Sequence, residues 1–278
     1  MIVRVADKCG FCHGVRTAIK TAEEALCKTN GFVYSLGPII HNIDEVERLK
    51  KKGLKAIDTV DDAQNQTVLI RSHGASPIEI AKLKDNGAVI VDATCVLVKR
   101  LQKIARQIEA DGYRLVIIGE ENHPEVQAVI GCVENAIVIG NKKDLNQIPG
   151  HVNLGIVSQT TQDPQHVAYM INEIKKHNSR EPRIANTLCR ESCKRQQAAV
   201  SLCQQVDIMF VLGGLHSANT TRLAQMCHKL NKQTFHLQSW KDLDKSLLKG
   251  INTAGVTAGA STPDWIINEF VQKLENQK

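Results

Sequence analysis

The sequence lacks the long apolar runs that a membrane-spanning helix requires. No stretch approaches the ~20 consecutive apolar residues that cross a bilayer. The N-terminal run Met1-Ile-Val-Arg-Val-Ala-Asp has a charge inside a strand-like pattern, whereas a cleavable secretion signal has an uninterrupted apolar core. The sequence therefore predicts a cytoplasmic protein.

Aromatic residues are also scarce, at 4% of the chain. Single-stranded nucleic acids bind by stacking on aromatic side chains, and the basic residues here are scattered and form no recognisable motif. A Gly-Lys-Ser/Thr loop of the nucleotide-binding type is absent. The formal net charge of +6 is modest. It suits a small anionic substrate or an acidic electron-donor protein better than a nucleic acid.

Cysteine, in contrast, is abundant: the chain has nine. Without a secretion signal, this number indicates metal or redox chemistry more than a disulfide framework. Cys12, Cys95 and Cys189 each begin a similar unit, in which a helical stretch and an apolar strand lead to a polar turn. The turn residue lies 29 residues after the cysteine at His41, 28 after it at His123 and 28 after it at Ser217.

Each unit then shows a second polar turn that ends in Pro77, Pro164 or Pro263. The first two units close with a short strand that leads into a cysteine, and the third unit lacks this strand. The N-terminal strand before Cys12 has the missing form. Repetition at this length predicts three similar small α/β modules around one axis. The predicted modules are 13–95, 96–189, and 190–278 completed by 1–12.

Ligands of open α/β sheets bind beyond the carboxyl ends of the strands, where the repeated turns fall. We expect the three thiols to meet the polar residues of these turns, which are His41, His73, His123, Glu125, Thr160, Ser217, Asn219 and Ser261. Three thiolates can hold Zn²⁺ or an iron–sulfur cluster, and a cubane with three cysteines keeps one iron open. The hydroxyls and imidazoles suit a phosphate or diphosphate. Glu125, the one carboxylate on these turns, is the expected proton donor.

The other cysteines have simpler interpretations. A single cysteine is usually a small buried apolar residue, and this is the expectation for those on amphipathic helices and for Cys132. Cys9 and Cys193 lie close in sequence to proposed ligands and could have a chemical role, but packing is the favoured interpretation for both. The amphipathic-helix cysteines are Cys27, Cys203 and Cys227.

Nine motifs together resemble the 4-hydroxy-3-methylbut-2-enyl diphosphate reductase family, the last enzyme of the non-mevalonate isoprenoid pathway. The resemblance runs in order from residue 2 to about residue 275. The matching motifs are Gly10-Phe-Cys12-x-Gly-Val, Leu36-Gly-Pro-Ile-Ile-His41-Asn, Ser72-His73-Gly, Asp92-Ala-Thr-Cys95, His123-Pro-Glu125-Val, Ser158-Gln-Thr160-Thr, Thr187-Leu-Cys189, Ser217-x-Asn219 and Thr257-Ala-Gly-Ala-Ser261-x-Pro-Asp264.

The resemblance implies a pseudo-threefold α/β trefoil around a [4Fe–4S] cluster held by Cys12, Cys95 and Cys189, with one open iron. It implies a proton-relay acid at Glu125, with Thr160 beside it. A ferredoxin or flavodoxin would donate the electrons for a two-electron reductive dehydration that gives isopentenyl and dimethylallyl diphosphates. The implied substrate-binding residues are His41, His73, His123, Ser192, Ser217, Asn219 and Ser261.

The sequence departs from the family pattern at three places. Ala218 replaces the second of two usual serines, and Val96 replaces a proline after the second cluster cysteine. The run Arg190-Glu-Ser192-Cys193 is more charged than usual, although Ser192 keeps a hydroxyl where threonine is common.

Two other functions remain open at this stage. One is a related [4Fe–4S] enzyme of the same fold that acts on another small anionic substrate. The other is a non-catalytic cluster or zinc protein that senses redox state. Glu125 and the histidine set argue against a sensor, which needs neither a proton relay nor an anion cradle.

Overall fold

The computed structural model describes residues 1–277. The chain divides into two compact units. The first unit comprises Met1–Arg16, Ile40–Lys51 and the chain from Arg190 onward, and the second comprises Thr17–Ile39 and Lys52–Cys189.

Short β-branched and apolar runs form the strands, as their composition favours. In the described part of the chain the strands are β1 Ile2–Val5, β2 Val33–Leu36, β3 Leu54–Ile57, β4 Thr67–Ile70, β5 Val89–Asp92, β6 Arg114–Ile118, β7 Ala136–Ile139, β8 Leu154–Ser158, β9 Arg183–Ile184, β10 Ile208–Leu212, β11 Thr234–Leu237 and β12 Thr253–Ala258.

Amphipathic helices connect the strands, and short 3₁₀ turns precede β4, β8 and β12. The α-helices are α1 His13–Lys28, α2 Ile43–Lys51, α3 Pro77–Asp85, α4 Val96–Ala110, α5 Pro124–Ile130, α6 Pro164–His177, α7 Arg190–Cys203, α8 Ala218–Leu230 and α9 Asp264–Glu275.

The strands form three parallel four-stranded sheets, in the orders β3-β2-β4-β5, β7-β6-β8-β9 and β11-β10-β12-β1. Corresponding strands occupy corresponding places in all three sheets. The predicted class, three similar small α/β modules, is confirmed.

In the first unit, β1 pairs in parallel with β12, with Ile2 opposite Thr253. The apolar core of this sheet lies on both faces. On one face Phe210 packs with Phe270 of α9, and on the other Met209 packs with α7 and α8. Helices therefore cover both faces, as parallel sheets require.

The second unit holds the other two sheets. The sheet around β6 and β8 also has apolar cores on both faces, built with α6 on one side and with α4 and α5 on the other. The sheet around β2 and β4 packs against Leu83 of α3.

The sequence did not predict where the helices after the cysteines and prolines begin. α4 and α7 begin at Val96 and Arg190, directly after Cys95 and Cys189. Pro77 and Pro164 occupy first-turn positions, whereas Pro263 is the residue that caps α9. The module boundaries remain a prediction, and Lys278 of the third predicted module lies outside the described residues.

Candidate functional site

The three repeated cysteines have the same backbone environment. Each donates its N–H to a carbonyl of the second polar turn of its own sheet: Cys12 to Ala260 at 3.2 Å, Cys95 to Ser72 at 3.0 Å and Cys189 to Thr160 at 2.7 Å. Each thiol is half-buried, and a helix begins at the next residue. The repeat seen in the sequence is therefore also a repeat of local geometry.

A helix N-terminus offers unpaired N–H groups and the positive end of the helix dipole. Cys12 shows this directly, since its sulfur accepts the N–H of Val15 at 3.4 Å. Such a position favours an anionic ligand set, whether thiolates or the cluster that thiolates bind. Chemically, these are three suitable metal-ligand positions.

Glu125 is the most deeply buried acid of the candidate residues, with 2% of its surface exposed. Its two carboxyl oxygens accept hydrogen bonds from Thr160, one from the backbone N–H at 2.6 Å and one from the hydroxyl at 2.8 Å. Burial raises the pKa of Glu125, and the hydrogen bonds from Thr160 partly oppose the rise. This carboxyl can therefore keep its proton at a higher pH than an exposed glutamate.

The pairing of Glu125 with Thr160 follows from the topology. Glu125 lies in the first turn of α5, after β6, and Thr160 lies in the turn after β8. Because β6 and β8 are adjacent parallel strands, their carboxyl ends meet at one edge of the sheet.

His123 caps α5 and accepts the N–H of Glu125 at its Nδ1, at 3.1 Å. The proton of the neutral ring therefore lies on Nε2. His73, in the turn after β4, makes an edge-to-face contact with His123, with 5.4 Å between ring centroids. The second unit thus brings together two of the predicted histidines, Glu125 and Thr160.

The predicted substrate residues of the first unit have a different character. Ser192 Oγ, Asn219 Nδ2 and Ser261 Oγ are buried and have no hydrogen-bond partner within residues 1–277. They lie in the first turn of α7, in the first turn of α8 and in the turn after β12. Buried polar atoms in native proteins are normally paired, so these three are candidates for ligand contact.

Ser217 and His41 are also in the first unit. The Ser217 hydroxyl oxygen accepts from the N–H and the hydroxyl of Thr220, at 3.4 and 3.0 Å, and so caps α8. Its own hydrogen is left to donate. His41 precedes α2, and a side chain at Gly214, three residues before Ser217, would collide with the His41 carbonyl. Close backbone packing therefore holds the His41 turn against the Ser217 turn.

Several supporting residues were not identified from the sequence. Thr187 accepts the N–H of Ser158 and donates to its carbonyl, at 2.8 and 2.7 Å, and so holds the segment before Cys189. Gln102 of α4 donates to the carbonyls of Ala75 and Ala128, both at 3.1 Å, and ties the His73 turn to α5. Arg195 is buried and donates to the Gly10 carbonyl of the Cys12 loop at 2.8 Å. Thr187 lies in one of the nine motifs, but the sequence has no pattern that marks the contacts these three residues make.

One predicted grouping, the three cysteines as ligands of one metal centre, has no counterpart among the described contacts. Within residues 1–277, no three His, Cys, Asp or Glu side chains are placed to ligate one metal ion. In the same range, no helix is long and apolar enough to cross a membrane.

Together, the fold and the site define a three-module α/β protein with a cysteine at the carboxyl edge of each sheet and a buried acid paired with a threonine. The family model described as LytB protein matches residues 3–275. The chain belongs to the LytB family.

Relatives support this membership over the full length. The 4-hydroxy-3-methylbut-2-enyl diphosphate reductase of Aquifex aeolicus is 38% identical over 275 residues, which cover 98% of this chain and 95% of that protein. The enzyme of the same name from Clostridium perfringens is 39% identical, with 98% of each chain covered.

Two solved structures are similar as well. The structure of (E)-4-hydroxy-3-methyl-but-2-enyl diphosphate reductase, the terminal enzyme of the non-mevalonate pathway, has a TM-score of 0.73 at 37% identity and covers 99% of both chains. The E-1-hydroxy-2-methyl-but-2-enyl-4-diphosphate reductase from Plasmodium falciparum has a TM-score of 0.93 at 27% identity. It covers 99% of this chain and 88% of that one.

Proposed function

We propose that this protein is an iron–sulfur oxidoreductase that converts 4-hydroxy-3-methylbut-2-enyl diphosphate into isopentenyl and dimethylallyl diphosphates. Two electrons and two protons enter, the bond between carbon and the hydroxyl oxygen breaks, and water leaves. The observation that carries the proposal is the full-length similarity to named reductases. The three repeated cysteines and the hydrogen-bonded pair of Glu125 and Thr160 are consistent with it.

Cys12, Cys95 and Cys189 would hold a [4Fe–4S] cluster, and the pseudo-threefold arrangement around it is part of this proposal. The residues fit such a group, because each is a half-buried thiol at a helix N-terminus with an equivalent backbone anchor. A cubane takes each thiolate on a separate iron, and three thiolates leave one iron without a protein ligand. When bound, the cluster supplies electrons and a Lewis-acidic iron for the substrate hydroxyl.

Ser192, Asn219 and Ser261 would bind the diphosphate, since their buried polar atoms lack protein partners in the described chain. Ser217 has a hydroxyl hydrogen left to donate after its oxygen has capped α8. We assign His41, His73 and His123 to the same anion, with the Nε2–H of His123 as one donor. Hydrogen bonds to charged oxygens are stronger than neutral ones and would orient the substrate.

Glu125 and Thr160 would deliver a proton. Burial raises the pKa of Glu125, so its carboxyl can be protonated before the reaction. A protonated Glu125 can donate to the Thr160 hydroxyl, and that hydroxyl can pass on its own proton at the same time. The 2.8 Å between the Glu125 oxygen and the Thr160 hydroxyl already suits this transfer.

We assign a ferredoxin or flavodoxin as the electron donor and the cytoplasm as the location. The net positive charge of the chain suits an acidic carrier protein. A reducing compartment also suits half-buried cysteines that must remain thiols.

Anaerobic reconstitution with iron and sulfide, followed by assay with a reduced viologen dye, tests the reaction. We expect the hydroxylated diphosphate to be consumed and both isoprenoid diphosphates to form. A reconstituted cluster without turnover of this substrate would favour a related enzyme for another small anion.

Cysteine replacements test the ligand assignment. Cys12→Ser, Cys95→Ser and Cys189→Ser should each lose the oxygen-sensitive cluster, whereas Cys27→Ser and Cys227→Ser should keep it. Mössbauer spectra should show one iron distinct from the other three. Four equivalent irons would contradict the open site.

A further inference from the structure

The loop that carries Cys12 is held more tightly than its sequence suggests. Gly10 has a φ of +76°, and a side chain there would approach Ile267 to 2.8 Å. The Cys12 N–H bonds to Ala260, so the loop is fixed at two points. A third contact comes from α7: Arg195 donates from Nη2 to the Gly10 carbonyl at 2.8 Å.

Arg195 is unusual because its charge is buried without an acid. Only 5% of its surface is exposed, and its Nε has no hydrogen-bond acceptor within residues 1–277. Asp264, an acid beside the same loop, forms an ion pair with Arg16 at 3.1 Å. No ion pair of Arg195 occurs in the described chain. A buried charge without a counter-charge is costly, so a missing anion is expected.

The thiol of Cys9 does not provide this anion. Burial raises its pKa to about 12, although the Arg195 charge acts in the opposite direction. Cys9 is therefore a neutral thiol at physiological pH. Asp264 is already paired with Arg16, so the anionic cluster that Cys12 would ligate, two residues from Gly10, is the group that would balance Arg195.

Within residues 1–277, the other two ligand loops have no buried cation of this kind, and the cation beside the Cys95 loop, Lys99, is half-exposed and paired with Asp92 at 2.6 Å. The Cys95 loop is braced by Asp92, whose carboxylate accepts the Thr94 N–H at 2.9 Å. The Cys189 loop is braced by the neutral Thr187 hydroxyl, bonded to the Ser158 carbonyl at 2.7 Å. The three loops are thus alike in backbone but differ in charge.

We propose that Arg195 is a positioning residue for the cluster, fixing the Cys12 loop through Gly10 and placing a buried positive charge beside that ligand. This inference rests on the cluster assignment of the proposed function. A nearby positive charge stabilises the more negative, reduced state of a cluster and so raises its reduction potential. The hydrogen bond to Gly10 fixes the position of the ligand.

The test compares Arg195→Gln and Arg195→Met with Arg195→Lys in the reconstituted protein. Arg190→Gln is the matched control, because Arg190 is exposed on the same helix and beside another ligand. The readouts are iron content, the midpoint potential from an EPR-monitored redox titration, and thermal unfolding of the cluster-free protein.

We expect both neutral variants to have a more negative midpoint potential than the wild type. Arg195→Lys should keep most of the wild-type potential, and Arg190→Gln all of it, since solvent screens an exposed charge. Wild-type potentials in the neutral variants would overturn the proposal. If neither neutral variant folds without the cluster, Arg195 is a structural support and the proposal is likewise overturned.

The readout separates this inference from the proposed reaction, because EPR does not depend on turnover. A wild-type protein with a cluster but no reductase activity would contradict the proposed reaction and still allow the potentials to be compared. A wild-type protein that assembles no cluster would overturn both.

Discussion

The polar residues of the candidate site are organised differently in the two compact units. In the second unit, Glu125 and Thr160 satisfy each other through two hydrogen bonds. In the first unit, Ser192, Asn219 and Ser261 each have a buried polar atom without a protein partner in the described chain. The hydrogen bonds of the Glu125–Thr160 pair form without a ligand, whereas the three buried polar atoms of the first unit lack protein partners.

This difference matches two chemical tasks. A proton donor works best when its neighbours already hold it in place, since nothing must then reorganise during the reaction. An anion cradle must keep donors available, and an unpaired buried donor costs roughly 1–3 kcal/mol until a ligand binds. The buried polar groups of the first unit would therefore form their hydrogen bonds only when the ligand binds.

The largest expected effect concerns the hydrogen-bonded pair of Glu125 and Thr160. Glu125→Gln keeps the size and can keep both contacts with Thr160, but it has no acidic proton. We expect cluster content to stay unchanged and turnover to fall by ~10²–10⁴-fold, the usual contribution of general acid catalysis. Steady-state assay with a reduced viologen dye measures this.

Glu121→Gln is the matched control, since Glu121 is exposed on the turn before α5. It should retain full turnover. A Glu125→Gln enzyme that works at nearly the wild-type rate would mean that the proton comes from another group.

Two neighbouring hydroxyl groups of the first unit allow a direct test of the difference between paired and unpaired polar groups. Ser261 Oγ is buried without a partner in residues 1–277, whereas Thr262 Oγ1 donates to the Leu212 carbonyl at 3.0 Å. We expect Ser261→Ala to weaken binding of isopentenyl diphosphate by about tenfold or more, as for loss of a hydrogen bond to a charged group. Its unfolding free energy without ligand should hardly change.

Thr262→Val should show the opposite pattern. Loss of its internal hydrogen bond should lower stability by about 0.5–1.5 kcal/mol, with ligand affinity unchanged. Calorimetry and denaturant unfolding measure the two quantities. If Ser261→Ala destabilises the ligand-free protein as much as Thr262→Val does, the Ser261 hydroxyl is paired within the protein.

The sequence was sufficient to predict the repeated features of the fold. Three cysteines at like positions, each after a short strand, predicted three α/β modules, because a repeated pattern of apolar strands and helices has one common packing solution. It also predicted that Glu125 and Thr160 lie at strand ends. Their mutual hydrogen bonds depend on β6 pairing with β8, which no local pattern specifies.

The starts of α4 and α7 were less predictable. Val96 is β-branched and 64% exposed, and the charged run after Cys189 has no apolar period. A first helical turn has no N–H bonds of its own to earlier residues, so tertiary contacts define it. Arg195 was missed for a related reason: a charge within a charged run is normally solvated, and only the fold buries it.

A smaller effect is expected at Ala218, the first residue of α8. It lies between Ser217 and Asn219, where the family usually has a second serine. Ala218→Ser should add one donor to the unpaired polar groups of the first unit and tighten diphosphate binding by up to about tenfold, less whatever a bridging water already provides. Ala224→Ser, later on the same helix, is the control. No gain from Ala218→Ser would favour a pocket shaped for another anion.

The smallest expected effect concerns stability and pH. Burial raises the pKa of Glu125. A carboxyl with a raised folded-state pKa contributes stability that is complete below its unfolded pKa and is lost as the pH rises through the folded value. Wild-type protein should therefore lose stability relative to Glu125→Gln as the pH rises above the ordinary glutamate pKa.

Thermal unfolding of the cluster-free proteins across this pH range measures the sign of this difference, on a scale where 1 kcal/mol corresponds to about 2–4 °C in chains near this size. Glu121→Gln, at an exposed position before α5, is the control and should track the wild type at every pH. If wild type instead gains stability over Glu125→Gln as the pH rises, the two hydrogen bonds from Thr160 outweigh burial. Glu125 would then be ionised at rest, and its proton would have to arrive during turnover.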